Sequence, residues 1–417
     1  MPENTDVTVE HVTSVQRFIE IELDWDELYK SDPYSNIYLS SRFFASLVLR
    51  AQGKFRILLA WSNEKRCVGV FPLLLKTRWN KDKGCFYNEL DMLGHVFDAD
   101  YTGFLCDPGL EASVCEAFAN EISRMSFARL TLSFFSGPAS RLEQFQKAFG
   151  TAVFETSVLE RKINSGETNN LICPYVDLPE SFDRYLEQLS SNSRQKIRRL
   201  LRRLDADPDL RITRSRSETH EQDAAILSEL WFLQYAERKG QKRAAKLAGQ
   251  FKEVVGAGLA NGLVYLAVLW RGRRPVAAQA NYVDPVRGHT LFHVGARDET
   301  ITDLPIGLML QAHCIRWSIA QGFRRYDFTL GDETYKYSFG AVDREIACIE
   351  IATRSGMNAT GRLDESARDD VAELIRRYAS RERSDDARVA AGQALEVWPD
   401  LPEARGVEPL INQYQRT

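Results

Sequence analysis

The sequence has few cysteines, a small net charge and no long run of apolar residues. Its seven cysteines form no Cys-x-x-Cys pair and are odd in number, which is typical of reduced thiols rather than a disulfide scaffold. A formal net charge of -4 argues against a protein that coats nucleic acid such as DNA through bulk charge. No stretch approaches the roughly 18 apolar residues of a membrane span, and the first residues lack a signal-peptide pattern. We therefore expect a cytoplasmic protein.

The length and composition of the chain predict two domains. At 417 residues the chain exceeds one ordinary core, and its 44% of hydrophobic residues supply enough apolar surface for two. A polar stretch over 164–174, followed by Leu178-Pro179, indicates the boundary. We predict an N-terminal half over 1–165, a C-terminal half over 175–355 and a loosely docked extension over 356–417.

A hairpin pattern occurs once in each half. Residues 55–61 and 68–76 predict two strands around a polar turn, with Pro72 at a bulge or on an edge strand. Residues 263–270 and 276–283 repeat the order of apolar strand, basic turn and returning strand. This repeat favours an internal duplication of the chain.

The rest of the second half alternates predicted helices and strands. The pattern predicts helices over 181–204, 221–239 and 306–320, and strands over 290–296 and 323–330. A strand, a helix and a second strand in this order imply a parallel crossover in a mixed sheet.

The densest chemical signal is RYDFTLGDETYKYSFG, residues 325–340. Asp327 is a carboxylate in the middle of an otherwise apolar strand. Gly331 ends this strand, and Asp332 is placed to cap a short helix in which it would pair with Lys336. One interpretation is a capped, salt-bridged turn. The other is a ligand site, because α/β proteins hold ligands where a strand ends before a helix.

Three segments of the second half carry a family resemblance: SSNSRQKIRRLLRRL, Leu304-Pro305-Ile306-Gly307 and YDFTLGDETYKYSFG. They resemble the acetyltransferase domain of CelD-like cellulose-biosynthesis proteins, which are relatives of the FemAB ligases in the GNAT superfamily. Trp25, the segment VGVFPLLLK and Asp100-Tyr101 extend the resemblance into the first half. It implies an α/β (mixed α+β) fold of tandem GNAT-like halves, each a mixed, mostly antiparallel sheet flanked by helices.

The resemblance also implies an activity, that of an N-acyltransferase with acyl-CoA as co-substrate and no metal. GNAT enzymes hold the CoA pyrophosphate on a Gln/Arg-x-x-Gly-x-Gly/Ala turn, whereas the equivalent stretch here, ETITDLPIGL, has a single Gly. Free amides where a helix begins near Pro305 would still favour an anion, although Pro305 and Gly307 equally suit an ordinary helix start. The candidate donor-binding residues are Val294, Gly295, Ala296, Leu304, Ile306, Gly307, Leu308 and Arg194.

The same resemblance implies four candidate catalytic residues: Asp327, Asp332, Tyr335 and Lys336. No Ser-His-Asp or Cys-His pattern is apparent in the sequence, which favours direct attack of an amine on the thioester. In this hypothesis Asp327 accepts the amine proton, and Tyr335 or Lys336 assists the leaving thiolate. Amides of residues 294–296 hold the oxyanion, as strand amides do in the GNAT superfamily that the chain resembles.

Four further residues are candidates for substrate binding: Gln279, His293, Asp100 and Tyr101. Gln279 and His293 are polar in predicted strands and fit a hydrogen-bonded core position as well. The even spacing of His289 and His293 would also suit a metal, but no third ligand is near in sequence.

The expected acceptor is an amino sugar or another amine in polysaccharide or envelope biosynthesis. The alternatives are a FemAB-like aminoacyl-tRNA-dependent ligase, long-chain N-acylation of an amino acid or lipid amine, and a non-catalytic binding module. The basic run from Arg194 to Arg203 is either a solvated face or a contact surface. Such a surface would meet CoA phosphates, an acyl carrier protein, a tRNA acceptor arm or the anionic inner face of a membrane.

Overall fold

A computed structural model describes residues 7–95, 99–380 and 384–407. Two mixed sheets with helices packed against them make up most of these residues. The predicted fold class, two halves that each contain a mixed sheet flanked by helices, is confirmed.

The elements of the first half follow in chain order. Its strands are β1 (Val7–Val12), β2 (Phe55–Ser62), β3 (Cys67–Asn80), β4 (Cys85–Met92), β5 (Leu105–Cys106), β6 (Arg129–Phe135) and β7 (Phe154–Val158). Its α-helices are α1 (Val15–Glu20), α2 (Glu22–Ser31), α3 (Ser41–Arg50), α4 (Glu111–Ser123) and α5 (Ala139–Lys147). A two-stranded ribbon of β8 (Lys162–Ile163) and β9 (Thr168–Asn169) leads into the second half.

The second half and the C-terminal segment contain the remaining elements. The strands are β10 (Tyr175–Asp177), β11 (Leu210–Arg214), β12 (Val264–Arg271), β13 (Arg274–Asp284), β14 (His289–Arg297), β15 (Arg325–Asp327) and β16 (Ala347–Thr353). The helices are α6 (Phe182–Gln188), α7 (Ser191–Ala206), α8 (His220–Lys239), α9 (Gln241–Ala260), α10 (Ile306–Ala320), α11 (Thr334–Tyr337), α12 (Arg368–Ala379) and α13 (Ser384–Val397).

The sheet topology assigns one late strand to the first half. The first sheet has the order β1-β2-β3-β4-β6-β16-β7, with β5 beside β3, and the second has the order β10-β15-β14-β13-β12-β11. Strand β16 lies antiparallel between β6 and β7. The predicted end of the second half at residue 355 therefore needs correction, because residues 347–353 complete the first sheet instead.

Both predicted hairpins form, as β2–β3 and as β12–β13. The prediction that Pro72 lies at a bulge or on an edge strand is wrong, because β3 is an inner strand. Pro72 faces Ile57 across the regular part of the β2–β3 ladder. On its other side, β3 changes neighbour there, from β5 at Val70 to β4 at Leu73. A residue without an N–H is tolerated at this change of partner.

Two predicted features of the helices also need correction. The helix predicted over 181–204 is two helices, α6 and α7, because the Ser190 side chain accepts a hydrogen bond from the Ser193 N–H and caps a new helix. Helix α9 has no counterpart among the predicted elements. The described part of the extension beyond residue 356 is firmly packed, since α12 and α13 share an apolar cluster with Phe86 of β4.

The two halves share one apolar core. Side chains of α2 and α3 cluster with Tyr282 of β13 and Leu291 of β14. The ring of Tyr38 packs edge-on against that of Tyr282, with centroids 5.0 Å apart. This shared core packs helices of the first half against strands β13 and β14 of the second sheet. None of the helices in the described ranges combines the length and the apolar composition that crossing a membrane requires. All seven cysteines are free thiols.

Candidate functional site

Strands β14 and β15 are parallel neighbours along only three residue pairs, which confirms the predicted crossover through α10. The last pair is Leu291 with Asp327, and β14 continues to Arg297 without β15 beside it. A bulge at His293 shifts the register of β14 against β13 at this point. The sheet therefore opens between β14 and the chain that follows β15.

A cavity of about 520 Å³ lies at this opening. Its walls come from α8, α9, β13, β14, the start of α10 and the segment after β15. The sequence-predicted site residues that line it are Gln279, His293, Val294, Gly295, Ala296, Gly307, Leu308 and Tyr335. The cavity thus brings β14 and the start of α10 together, and the donor-binding role of these residues stays a prediction.

One end of the cavity is the N-terminus of α10. No side chain caps this helix, and its first turn has no acidic residue. Arg297 lies alongside, because a β-carbon added to Gly307 would be 3.4 Å from Arg297 Nη1. Free amides, a helix dipole and a guanidinium together favour an anion at this end.

The backbone of β14 presents an amide to the cavity. The Asp298 N–H donates to the Val276 carbonyl at 2.8 Å, so the amides that face β13 fall on every second residue, at Ala296 and Val294. The amides between them point to the opened edge. There the Arg297 N–H donates to Gln234 Oε1 at 2.9 Å, and the Gly295 N–H faces the gap left by β15.

Asp327 lies outside the lining of the cavity and is 4% exposed. Its carboxylate accepts hydrogen bonds from the Tyr101 hydroxyl at 2.7 Å and the Thr329 N–H at 2.8 Å, and it pairs with Arg344 at 3.0 Å. Thr329 has a φ of 56°, an uncommon conformation for a β-branched residue. The role of Asp327 as a general base stays a prediction, and these contacts favour a structural role that holds the strained turn at Thr329 and pairs with Arg344.

Lys336 and Asp332 also hold the chain after β15. Lys336 is 2% exposed, and its ammonium donates to the carbonyls of Leu330 and Gly331, both at 2.7 Å. The sequence predicted that Asp332 caps α11 and pairs with Lys336. It does neither, because its carboxylate accepts the Asn169 N–H at 2.7 Å. Neither residue lines the cavity.

Tyr335 and Glu333 bring polar groups of this segment into the cavity lining. Burial raises the pKa of Tyr335, so its hydroxyl is protonated at neutral pH. Glu333 Oε2 forms an ion pair with Lys336 at 2.9 Å. Glu333 was not among the predicted residues, although its place between Asp332 and Tyr335 in the motif was a signal for it.

Asp100 and His293 meet from opposite halves, with Asp100 Oδ2 at 3.0 Å from His293 Nδ1. Tyr101 instead points to Asp327. Gln279 is 4% exposed and donates to Asn281 Oδ1 at 2.9 Å and to the Tyr326 hydroxyl at 2.8 Å. Gln279 is therefore both part of a buried network and a lining residue of the cavity.

Three of the predicted donor-binding residues lie elsewhere. Leu304 and Ile306 are buried in the core of the second half. Arg194 donates to the Leu189 carbonyl at 3.0 Å and ties the end of α6 to α7. None of these three side chains lines the cavity.

Sequence reasoning missed an aromatic wall from α8 and α9, formed by Trp231, Tyr235 and Phe251. The rings of Trp231 and Tyr235 stack with centroids 4.6 Å apart. Their spacing of four residues on one helix was a signal, but the same spacing is usual for core residues.

Within the described ranges, no three His, Cys, Asp or Glu side chains are grouped to hold a metal ion. The bulge at His293 also breaks the alternation on which the pairing of His289 with His293 depended.

Comparisons with known proteins match the segment that contains this cavity. Residues 191–337 match the family model described as an acetyltransferase (GNAT) domain. This segment is similar to a GNAT acetyltransferase domain. This match includes α7, β14, the start of α10 and the segment after β15, so the residues that line the cavity lie within the matched segment. The narrower resemblance to CelD-like proteins stays a prediction, and the comparison with curated proteins finds no match.

The solved structure of FemX shows the same fold at low sequence identity, and two other solved structures are similar to this chain. FemX superimposes with a TM-score of 0.53 and 12% identity, over 82% of this chain and 96% of FemX. A tandem GNAT protein from the clavulanic acid biosynthesis pathway has a TM-score of 0.45 and 12% identity, over 83% of this chain and 98% of that protein. The C-terminal domain of a putative lysylphosphatidylglycerol synthetase from Agrobacterium fabrum has a TM-score of 0.44 and 10% identity, over 81% and 93%.

Proposed function

We propose that this protein transfers an acyl group from acyl-CoA to an amine, by direct attack of the amine on the thioester. One observation carries this proposal: the opened edge of β14 and the uncapped N-terminus of α10 line the same cavity. A strand amide can hold a carbonyl oxygen, and a helix N-terminus can hold a phosphate. A thioester joined to a pyrophosphate needs both features within one cleft.

The donor phosphates would bind at the start of α10. The amides of Gly307 and Leu308 and the guanidinium of Arg297 supply the positive charge there. The single glycine of this turn leaves less room than a Gly-rich turn, so the helix terminus and Arg297 carry more of the binding.

The reacting carbonyl would lie at the Gly295 amide. As the amine nitrogen attacks, the carbonyl oxygen gains negative charge, and an N–H aimed at it stabilises that charge. The new C–N bond forms, the C–S bond breaks, and the thiolate leaves with a proton. Tyr335 lines the cavity and is protonated at neutral pH, so its hydroxyl can supply this proton.

The acceptor would approach along the aromatic wall of α8 and α9. Trp231, Tyr235 and Phe251 offer apolar surface with one hydroxyl, which suits an amine carried on a ring or a chain. An amino sugar or another envelope precursor is the acceptor class that the family resemblance implies, and it rests on that resemblance. A long acyl chain or lipid amine would use the same apolar surface.

Donor binding tests the proposal. We expect acetyl-CoA or palmitoyl-CoA to raise the melting temperature, since a ligand at 100 times its Kd adds about 2.7 kcal/mol of stability. Arg297→Ala should weaken this shift, whereas Arg273→Ala, in the exposed turn between β12 and β13, should leave it unchanged. If neither donor stabilises the protein, the acyl-CoA proposal fails, and a non-catalytic binding module becomes the better interpretation.

A second candidate function is transfer from an aminoacyl-tRNA, which the surface of α7 favours. An open groove along α7 is lined by four cationic side chains, those of Lys196, Arg198, Arg199 and Arg202. Among the described residues, no carboxylate forms an ion pair with any of them. A cluster of unpaired cations fits a phosphate backbone and makes binding depend on salt.

This candidate predicts binding of aminoacyl-tRNA that weakens steeply with salt. The double variant Arg198→Ala/Arg202→Ala should reduce the affinity and flatten the salt dependence, while Arg368→Ala on α12 should not. Binding of an acyl carrier protein or of anionic vesicles in place of tRNA would exclude it and assign the groove to that partner.

A further inference from the structure

His293 lies at the bulge of β14, where the strand leaves β15. Its side chain is 4% exposed and lines the cavity beside Val294 and Gly295. A bulge re-aims a side chain that would otherwise follow the alternation of the strand. The imidazole is therefore next to the amide at which the reacting carbonyl is proposed to lie.

The two ring nitrogens of His293 have different surroundings. Nδ1 is 3.0 Å from Asp100 Oδ2, and because a carboxylate only accepts, Nδ1 carries the proton. Nε2 is buried and has no hydrogen-bond partner among the described residues. A buried polar atom without a partner is uncommon and calls for an explanation. A substrate proton in the cavity would provide one.

Contacts from the first half hold this pair in place. The Tyr38 hydroxyl donates to the same oxygen, Asp100 Oδ2, at 2.8 Å. The ring of Tyr282 packs edge-on against the imidazole with centroids 5.2 Å apart, and that of Phe251 does so at 6.2 Å. The imidazole thus has one orientation, fixed by a carboxylate on one side and by aromatic rings around it.

We propose that His293 is the general base of the acyl transfer and that Asp100 is its positioning residue. This inference rests on the proposed function. Nε2 would take a proton from the attacking amine as the C–N bond forms and the C–S bond breaks. The Asp100 carboxylate would hold the neutral tautomer with Nε2 unprotonated and stabilise the imidazolium that forms. The proton on Nε2 then passes through solvent to the Tyr335 phenolate that remains after the thiol departs, so both groups return to their starting forms.

This assignment gives the first half a part in the chemistry. Asp100 belongs to the N-terminal half and His293 to the C-terminal half, so the dyad exists only when the two halves are packed together. Asp327 would need to release Arg344 and Tyr101 before it took a proton. Nε2 of His293 has no such partner to release.

The first test compares donor binding with turnover. With the donor that stabilises the protein and an amine acceptor, His293→Gln should lower kcat by about 100- to 10,000-fold and leave the Kd of the donor within about threefold. His289→Gln, on the same strand but outside the cavity, is the matched control and should retain wild-type turnover. Turnover by His293→Gln within about twofold of the wild type would overturn the assignment.

The role of Asp100 requires a readout beyond activity. Nitrogen chemical shifts of labelled His293 should show a proton on Nδ1 in the wild type and a mixed tautomer in Asp100→Asn. Asp100→Glu should recover part of the lost turnover. A His293 that carries its proton on Nε2 in the wild type would overturn the dyad without any activity assay.

The pH profile gives a further criterion. The acidic limb of the kcat/KM profile should disappear in His293→Gln. Among the described residues, the other charged or titratable groups that line the cavity or contact the His293–Asp100 pair are Asp100, Tyr38, Tyr282, Tyr235, Arg297, Glu333 and Tyr335. If the acidic limb persists in His293→Gln, another of these groups is the base. If the wild type binds no donor, the proposed function fails, whereas the tautomer measurement still decides whether the dyad exists.

Discussion

The hydroxyl of Tyr29, in α2, donates to Asp284 Oδ2, at the end of β13, at 2.5 Å. This bond joins the two halves on the side of the shared core. Burial raises the pKa of Asp284, and the hydrogen bond from Tyr29 lowers it in part. The contribution of this contact between the halves to the stability of the protein therefore depends on pH.

The raised pKa of Asp284 predicts that the protein loses stability as the pH rises. A carboxyl whose pKa is raised on folding binds its proton more tightly in the folded state, so it stabilises the fold below its unfolded pKa of about 3.9. That contribution is lost as the pH rises through the folded pKa. In Asp284→Asn the amide oxygen still accepts from Tyr29, so this variant should gain stability over the wild type as the pH rises through this window. Urea unfolding at several pH values measures the difference, and Glu64→Gln in an exposed turn is the control. An unchanged difference across the window would contradict the prediction.

The lowered pKa values of two histidines predict the opposite dependence of stability on pH. Burial lowers the pKa of both His289 and His313 from 6.5 to about 4, with nearby arginines as a further cause. Each prefers the neutral form in the fold, so its contribution to stability is complete above about pH 6.5 and is lost as the pH falls towards 4. At pH 5 the loss should be on the order of 2 kcal/mol for each histidine. The double variant His289→Gln/His313→Gln should lose less stability than the wild type between pH 7 and pH 5. Equal losses in the two proteins would show that these histidines do not control the acid sensitivity.

Gly331 predicts a strong effect of one added methyl group. Its φ is +96°, and a β-carbon there would be 2.7 Å from Glu333 Oε2 and 3.0 Å from Thr168 Cγ2. Gly331→Ala should therefore cost about 1–3 kcal/mol of unfolding free energy and displace Glu333 from the cavity. Gly256→Ala is the matched control, since it lies within α9 with nothing within 4 Å, and it should gain about 0.5–1 kcal/mol. Equal stabilities for the two variants would contradict this account.

The ion pair of Arg344 with Asp327 predicts a large effect on stability. Asp327 is buried, so Arg344→Ala would leave its charge without its cation and should cost about 3–5 kcal/mol. Arg368→Ala, which breaks the exposed pair with Asp400, should change stability little. Chemical unfolding of both variants checks the difference. A small loss for Arg344→Ala would contradict this structural role of the ion pair and would favour the catalytic role predicted for Asp327 from the sequence.

Local patterns were sufficient to predict much of the fold. Helix α10 and both hairpins follow from periodicity and turn residues over 10 to 20 positions, where each side chain interacts with near neighbours in sequence. The break at Ser190 was missed because apolar spacing continues across it, and only the capping bond of the serine ends one helix and begins the next. Strand β16 was missed for another reason: its place between β6 and β7 depends on partners about 200 residues earlier.

The sequence by itself determined that residues 263–330 form a hairpin and a parallel crossover, because apolar periodicity and turn chemistry act locally. It also indicated where the important segment lies, from β14 to α11. Only the tertiary structure decided which polar side chains face the cavity. Asp327 meets Tyr101, 226 positions earlier, and His293 meets Asp100, 193 positions earlier. Such contacts depend on how two packed halves fit together, so no local pattern distinguishes a carboxylate that supports the fold from an imidazole with a free nitrogen.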